Sequence, residues 1–450
     1  MRGWSTLKIR SVSLLSIVIA IGFVIAINRA CSTINNSTVT TQPESGYRLN
    51  NILKDEYSDN EAFKPMERYI INWMNRNGFQ GATLAIMKDE KLIYCKGLGW
   101  ADKEAGVEAH AGNIFRMASA SKLITAIAVM KLCEEGKLSL NSKVFGEKGI
   151  LKQFTEIRDK RAKDITVEHL LNHTSGLSRR LGDLTFRTQD VIKWAHLDHA
   201  PSTEELIEFQ LTMQMRDKPG GSAQYSNVGY LILSYVIEKV SGEKYEDYVR
   251  KHVLEPAGCY DMHLTYNSYE QRYPNEVKYY GHDEGELIRS YDNSGRLCLR
   301  EYGGHNIRGL QGAGAWAASS AEMMRLVASI DGKPGVPDIL SAKSIKKMKT
   351  PTKKDGFGFG WASCTGANGV LTRTGTMSGT CAFIEYNPKG YSYVFISNTS
   401  HFKGAKFTNR VDDTIKEAMR RVKEWPTDID LFTMVPEVAE EQIEEQAEKE

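Results

Sequence analysis

The chain has 450 residues, 41% of them hydrophobic. This is ample for a large hydrophobic core, and the chain is too long for one small domain. Its 58 basic and 56 acidic residues nearly balance, so we expect no strong electrostatic field and no nucleic-acid partner. None of the seven cysteines forms a CxxC pair, and His196 and His199 have no accompanying third ligand. We therefore expect no metal site.

The first 31 residues are typical of an export signal or an N-terminal membrane anchor. Three basic residues precede an uncharged apolar run over 12–27, which is shorter than the about 20 residues of a membrane span. Cys31 favours lipoprotein processing, although Asn28 and Arg29 depart from that pattern. Ordinary cleavage, an uncleaved anchor and an incidental cysteine are the alternatives. In the anchored versions the protein lies at the cell envelope, periplasmic or on the outer surface, and is attached to a membrane by its N-terminus.

Residues 32–58 follow as a predicted flexible tether, because they begin with a stretch rich in Ser, Thr, Asn and Gln. Beyond it, apolar periodicity and turn residues predict these elements in order: a helix over 63–77, a β-hairpin over 81–87 and 91–100, a helix over 121–135, helical segments and long loops over 137–330, strands over 357–364, 369–374, 380–386 and 392–397, and a helix over 408–425.

This order places strands at both ends of the chain and helices in its middle, which predicts an α/β (α+β) fold. We expect the hairpin and the late strands to join in one antiparallel sheet, flanked by the terminal helices, with a mostly helical lobe beside it. The catalytic domain is expected over 59–428, with its active site between lobe and sheet. Residues 429–450 are predicted as an acidic C-terminal tail.

Ser119 and Lys122 form the first candidate catalytic motif, S-x-x-K. A serine and a lysine three residues apart share one helix face, and a nearby ammonium group supports proton transfer from an attacking hydroxyl without a histidine. The same pattern starts at four other serines: Ser5, Ser241, Ser344 and Ser400. Ser119 is preferred because only it opens an apolar helix. The alternative is a capping serine followed by a solvated lysine.

Tyr225 and Asn227 form the second motif, Y-x-N. A phenol exchanges protons when nearby cations lower its pKa, and an amide can accept from a lysine while donating to a substrate carbonyl. A rival Y-x-N lies at Tyr291 and Asn293. We prefer Tyr225 because a Pro-Gly-Gly turn precedes it and an apolar helix is predicted to follow.

Arg373, Thr374 and Gly375 form the third motif, on or just after a strand. A cation followed by glycine at a strand edge lets a substrate lie against the backbone. The N–H groups of Thr376 and Ser119 are then expected to point at a developing oxyanion. We expect Arg373 to face both Tyr225 and a substrate carboxylate. The alternative is that Arg373 pairs with an acidic residue of the protein.

The order of these motifs resembles the β-lactamase-related serine hydrolases, which include class C β-lactamases, D-amino-acid-releasing peptidases and several esterases. Arg373 departs from the Lys or His that usually begins the third motif. The stretches that also match are Phe115-Arg116, Glu135-Gly136-Lys137-Leu138, Ile165-Thr166, Leu170-Leu171, His173-Thr174-Ser175-Gly176-Leu177, Leu254-Glu255-Pro256-Ala257-Gly258, Gly312-Ala313-Gly314, Phe357-Gly358-Phe359-Gly360-Trp361 and Ser397-Asn398.

The resemblance implies a β-lactamase/transpeptidase-like fold and a serine hydrolase that forms an acyl-enzyme. Ser119, Lys122 and Tyr225 are the implied catalytic residues, and Asn227 with 373–376 is the implied substrate-binding set. The implied substrates are small molecules or peptides with amide or ester bonds: peptidoglycan-like peptides, D-amino acid derivatives, β-lactams or small esters. No cofactor is implied, and no oligomeric state. The alternative is a non-catalytic, penicillin-binding-like protein of the same fold.

Overall fold

The computed structural model describes residues 49–282, 285–351 and 356–433. The predicted export signal, most of the predicted tether and the tail after residue 433 lie outside the described residues. No helix in the described ranges is both long and apolar enough to cross a membrane.

The strands are β1 (Gly81–Lys88), β2 (Lys91–Asp102), β3 (Val107–Glu108), β4 (Phe115–Arg116), β5 (His263–Leu264), β6 (Leu287–Arg289), β7 (Leu297–Leu299), β8 (Trp316–Ala318), β9 (Leu371–Met377), β10 (Thr380–Tyr386) and β11 (Tyr391–Ser397). The helices are α1 (Leu49–Ile52), α2 (Lys64–Arg76), α3 (Ser121–Glu134), α4 (Val167–Leu171), α5 (Thr188–Ala195), α6 (Thr203–Leu211), α7 (Asn227–Ser241), α8 (Tyr245–Val249), α9 (Ser320–Ala328), α10 (Ala342–Lys349) and α11 (Thr408–Met419).

The main sheet joins both ends of the chain, as predicted. Its order is β3-β2-β1-β11-β10-β9, and each neighbouring pair is antiparallel. The hairpin β1–β2 turns at Asp89 and Glu90, which both have positive φ, as a two-residue type I′ turn requires. Strand β9 forms the edge of the sheet that faces the helical lobe, so the third motif lies at that edge.

The terminal helices cover one face of the sheet. Ile70 and Trp73 of α2 and Val411 and Ile415 of α11 are buried in one apolar cluster that includes Phe395 of β11. This packing removes the apolar stripes of both helices from water and confirms the predicted flanking helices.

The opposite face carries the larger core, with α9 against β1 and β11. Helix α3 is apolar on nearly all sides and is buried along almost its whole length, where it packs against α7 and α8 of the helical lobe. The helical lobe is therefore anchored on the same helix that follows Ser119.

The prediction of a strand over 357–364 is wrong. The segment is irregular, with one isolated bridge at Ser363, because it packs its backbone against α3. Gly360 has φ +78°, and a Cβ there would lie 2.7 Å from the Cα of Leu123. The N–H of Gly360 donates a hydrogen bond to the Tyr230 hydroxyl. The alternation of apolar residues thus reflects close approach to a helix rather than a strand.

Other boundaries also differ from the prediction. The last helix ends at Met419 rather than 425. Val422 beyond it is still buried and Trp425 packs against Tyr391, so the apolar pattern in the sequence continues past the end of the helix. Strand β9 continues to Met377. The short strands β4 to β8, within or beside the predicted helical region, were not expected, because two or three residues carry no measurable periodicity.

Neighbouring isoleucines in α2 test the packing of this helix on the sheet. Ile70 is fully buried, whereas Ile71 is 37% exposed. Ile70→Ala should lower the free energy of unfolding by about 2–5 kcal/mol, because it leaves a cavity between helix and sheet. Ile71→Ala should change it by less than about 1 kcal/mol. Urea denaturation of both variants checks the difference, and equal losses would contradict the packing described.

Candidate active site

Ser119 lies in a 3₁₀ turn, Ala118–Ala120, between β4 and α3. The residue before it, Ala118, has φ +48°, a conformation that L-residues rarely adopt. The main chain is fixed from two sides: Met117 donates to the carbonyl of Trp316, and the Arg373 Nε donates to the carbonyl of Ser119 at 2.8 Å. Ser119 itself is half-buried. A strained and well-supported turn therefore presents its hydroxyl at the junction of sheet and lobe.

Lys122 lies in the first turn of α3 and is fully buried. Its Nζ donates to Ser119 Oγ at 3.3 Å, to Asn227 Oδ1 at 2.6 Å and to the carbonyl of Ala313. Burial, together with the charge of Arg373, lowers the pKa of Lys122 to about 8, and the nearby Tyr225 phenol offsets this lowering only in part. The ammonium is thus held by three oxygens and is ready to release its proton near neutral pH.

Tyr225 completes the contacts of the Ser119 hydroxyl. Its Oη donates to Ser119 Oγ at 2.6 Å and accepts from Arg373 Nη2 at 3.2 Å. Burial opposes ionisation of the phenol, but the charges of Lys122 and Arg373 outweigh it and lower the pKa of Tyr225 to about 8. The predicted association of S-x-x-K with the first Y-x-N is therefore present in the structure.

Asn227 is the first residue of α7, where Ser226 caps the helix by accepting from the N–H of Gly229. The cap sets the direction in which Asn227 leaves the backbone. Its Oδ1 faces Lys122, and its Nδ2 donates to Asp183 Oδ2 at 2.7 Å. Asp183 was not identified from the sequence.

Arg373 contacts Tyr225 as predicted, and its predicted contact with a substrate carboxylate stays a prediction. The side chain is 1% exposed, with Nε bound to the Ser119 carbonyl and Nη2 bound to Tyr225. The alternative of an acidic partner fails among the described residues, since both contacts are to uncharged oxygens. Arg373 supports the turn Ala118–Ala120, which we call the nucleophile turn after the predicted role of Ser119, and it places positive charge beside the phenol.

Gly375 meets a structural requirement in addition to the predicted one. It faces the nucleophile turn, and a Cβ would lie 2.0 Å from the Met117 carbonyl oxygen and 3.1 Å from the Ala120 nitrogen. Thr374 points to the opposite side of β9. The close approach brings the backbone of β9 at Gly375 against the residues on both sides of Ser119.

His173 lies under Tyr225, with ring centroids 4.7 Å apart, and its Nδ1 accepts from the N–H of Ser226. Burial, with the charge of Lys122, holds the pKa of His173 well below its usual range, so the ring is neutral. This agrees with a structural role. Arg179, also missed, donates to the carbonyl of Tyr225. No motif marks Arg179 or Asp183, because both act from an irregular loop.

The rival motifs lie elsewhere. The Asn293 side-chain amide donates a hydrogen bond to the carbonyl of Asp198, and the Tyr291 hydroxyl accepts one from Asn267. Lys347, of the S-x-x-K at Ser344, pairs with Glu168. Among the described residues, no three His, Cys, Asp or Glu side chains are grouped to hold a metal ion.

The site has the order and geometry of the predicted family, and comparison with known proteins decides the assignment. The family model described as Beta-lactamase matches residues 66–415. The chain belongs to the beta-lactamase family. Its fold is the β-lactamase/transpeptidase-like fold, as predicted.

Relatives of this beta-lactamase family member carry several names. It is 27% identical over 340 residues to a Bacillus subtilis protein named as penicillin-binding protein PbpX, covering 75% of each chain. It resembles the octameric penicillin-binding protein homologue of Pyrococcus abyssi, with 25% identity, a TM-score of 0.59 and coverage of 84% of this chain and 80% of that chain. The D-amino acid amidase of Ochrobactrum anthropi shares the fold at 21% identity and a TM-score of 0.63, over 81% of this chain and 100% of that one.

Gly375→Ala tests the contact between β9 and the nucleophile turn. The added methyl group has no room beside Met117, so the turn must move, and we expect loss of covalent labelling of Ser119 by a fluorophosphonate. Gly229→Ala is the matched control, because a Cβ there meets its nearest neighbour at an ordinary 3.5 Å. Rates of labelling in the two folded variants provide the measurement. Labelling of Gly375→Ala at the wild-type rate would disprove the close approach.

Proposed function

We propose that this family member is a serine hydrolase that cleaves amide or ester bonds through an acyl-enzyme on Ser119. The observation that carries the proposal is the pair of contacts on Ser119 Oγ, from Tyr225 Oη at 2.6 Å and from Lys122 Nζ at 3.3 Å. A hydroxyl placed between a phenol and an amine, both with pKa values near 8, has a proton acceptor at neutral pH.

The first half of the reaction forms the ester between Ser119 Oγ and the substrate carbonyl carbon. Once the Lys122–Tyr225 pair has lost one proton, either the amine or the phenolate accepts the proton of the attacking hydroxyl. The pair then gives that proton to the departing amine or alcohol. Such positioned proton transfer contributes about 10²–10⁴-fold to a rate.

The oxyanion is proposed to bind the N–H groups of Ser119 and Thr376. The contact of Gly375 with the nucleophile turn supports this, because it holds the two backbones next to each other. Removing one donor of such a pair typically costs about 10²–10³-fold in rate. Water then attacks the acyl-enzyme, with the same Lys122–Tyr225 pair accepting its proton, and releases the acid.

The proposed substrates are peptidoglycan-like peptides, D-amino acid derivatives, β-lactams or small esters. The Arg373 Nε and Nη2 are bound within the protein, whereas Nη1 has no hydrogen-bond partner among the described residues, so a substrate carboxylate that reaches Arg373 would bind Nη1. We also propose that the protein is exported and attached to a membrane through its N-terminus, for which the basic start and the apolar run over 12–27 are the support. Mass spectrometry of the mature N-terminus tests this, and a soluble chain that starts after residue 31 would reject both anchored forms.

Ser119→Ala tests the proposed nucleophile. We expect the fold to remain and turnover to fall by about 10⁴-fold or more, because no other hydroxyl replaces the attacking oxygen. Ser241→Ala, in another S-x-x-K of this chain, is the control and should keep full activity. The measurement combines substrate turnover with covalent labelling by a fluorophosphonate and by a fluorescent penicillin.

The two labels also separate the classes of function. Labelling by both reagents favours penicillin recognition, and labelling by the fluorophosphonate alone favours an esterase. Absence of both labels on the wild-type protein would support the non-catalytic alternative, and unchanged turnover in Ser119→Ala would reject Ser119 as nucleophile.

A further inference from the structure

The carboxylate of Asp183 is surrounded by hydrogen-bond donors. Its Oδ2 accepts from Asn227 Nδ2 at 2.7 Å, and its Oδ1 accepts from the backbone N–H of Thr185 at 3.2 Å and from the Thr185 hydroxyl at 2.7 Å. Arg179 Nη2 lies 3.7 Å from Oδ2. These donors need a hydrogen-bond acceptor at both terminal positions of the side chain. A carboxylate has two accepting oxygens, whereas an amide has only one.

The neighbouring amide of Asn227 has two faces with opposite chemistry. Its oxygen must face Lys122, because the ammonium can only donate, and a flipped amide would place N–H groups against N–H groups. Nothing in Lys122 itself prevents that flip when the lysine is neutral, since an amine nitrogen also accepts. The group that distinguishes the two orientations in every protonation state is therefore the acceptor on the other side of the amide.

We propose that Asp183 is a positioning residue of the active site, which holds the Asn227 amide with its oxygen toward Lys122 and one N–H free for the substrate carbonyl. The proposal rests on the proposed function for its catalytic consequence, but the orientation itself is a property of the folded protein. Asp183 contacts neither Ser119 nor Lys122 among its recorded hydrogen bonds, so it acts through Asn227.

The charge of Asp183 has a second effect, on the protonation of the pair. Several titratable and charged groups face Lys122: Tyr225, Tyr230, Arg373, His173 and Asp183. Asp183 supplies negative charge that stabilises the ammonium and so raises the pKa of Lys122, against the larger lowering by burial. Without Asp183 the pair loses its proton at lower pH, and the rising limb of a pH–rate profile moves to lower pH.

Asp183→Asn in the full chain is the decisive variant, because it keeps the shape and replaces one acceptor by a donor. We expect kcat/KM to fall on the order of 10–100-fold, as for other groups that orient a catalytic side chain. We also expect the rising limb to shift to lower pH. Asp190→Asn is the matched control: Asp190 pairs with Arg187 in the same region, and its recorded contacts do not include Asn227.

A readout that needs no turnover separates this inference from the proposed function. The side-chain amide protons of Asn227, assigned in ¹⁵N NMR spectra by their loss in Asn227→Ala, should shift in Asp183→Asn and stay in place in Asp190→Asn. Unchanged Asn227 signals in Asp183→Asn would overturn the proposal, whether or not a substrate is found. A loss of rate with an unmoved pH profile would also overturn it, because it would show a structural role alone.

Discussion

The structure depends on one constraint, the burial of the Lys122 ammonium without a hydrogen bond to any carboxylate among the described residues. Removing such a charge from water costs several kcal/mol unless its protons find acceptors. The fold supplies three: Ser119 Oγ, Asn227 Oδ1 and the Ala313 carbonyl. Because these acceptors are uncharged, they satisfy the hydrogen bonds of the ammonium without fully stabilising its charge, and the pKa falls to about 8. The arrangement that allows the lysine side chain to be buried also allows it to donate and accept a proton at neutral pH.

Three parts of the chain, distant in sequence, are needed to build that environment. Helix α3 carries Lys122, helix α7 carries Asn227, and the edge strand β9 carries Arg373, whose guanidinium fixes the Ser119 carbonyl. Gly375 lets β9 touch the nucleophile turn, so the position of the sheet edge sets the position of the hydroxyl. The small site therefore depends on a large part of the fold, because the sheet, the helical lobe and helix α3 must each be in place.

The motifs and the sheet were predictable from sequence because each depends on local pattern. Alternation and turn residues marked β1, β2, β10 and β11, helix periodicity marked α2, and the apolar stretch after Ser119 marked α3. The segment 357–364 was misassigned because Gly360 allows a close contact with α3, which only the tertiary structure reveals. Asp183 was missed for a similar reason, because it reaches Asn227 from an irregular loop without a spacing rule. The burial of the Arg373 side chain and its contact with the Ser119 carbonyl could not be read from a motif.

The account makes its most direct claim about the protonation of Lys122. Titration of the wild-type protein by NMR, with lysine labelled at Cε and the Lys122 signal assigned by its loss in Lys122→Arg, measures this group directly. We predict a midpoint near pH 8, well below the about 10.4 of an ordinary lysine. A midpoint close to the ordinary value would show that Lys122 keeps its proton at neutral pH and would contradict the account.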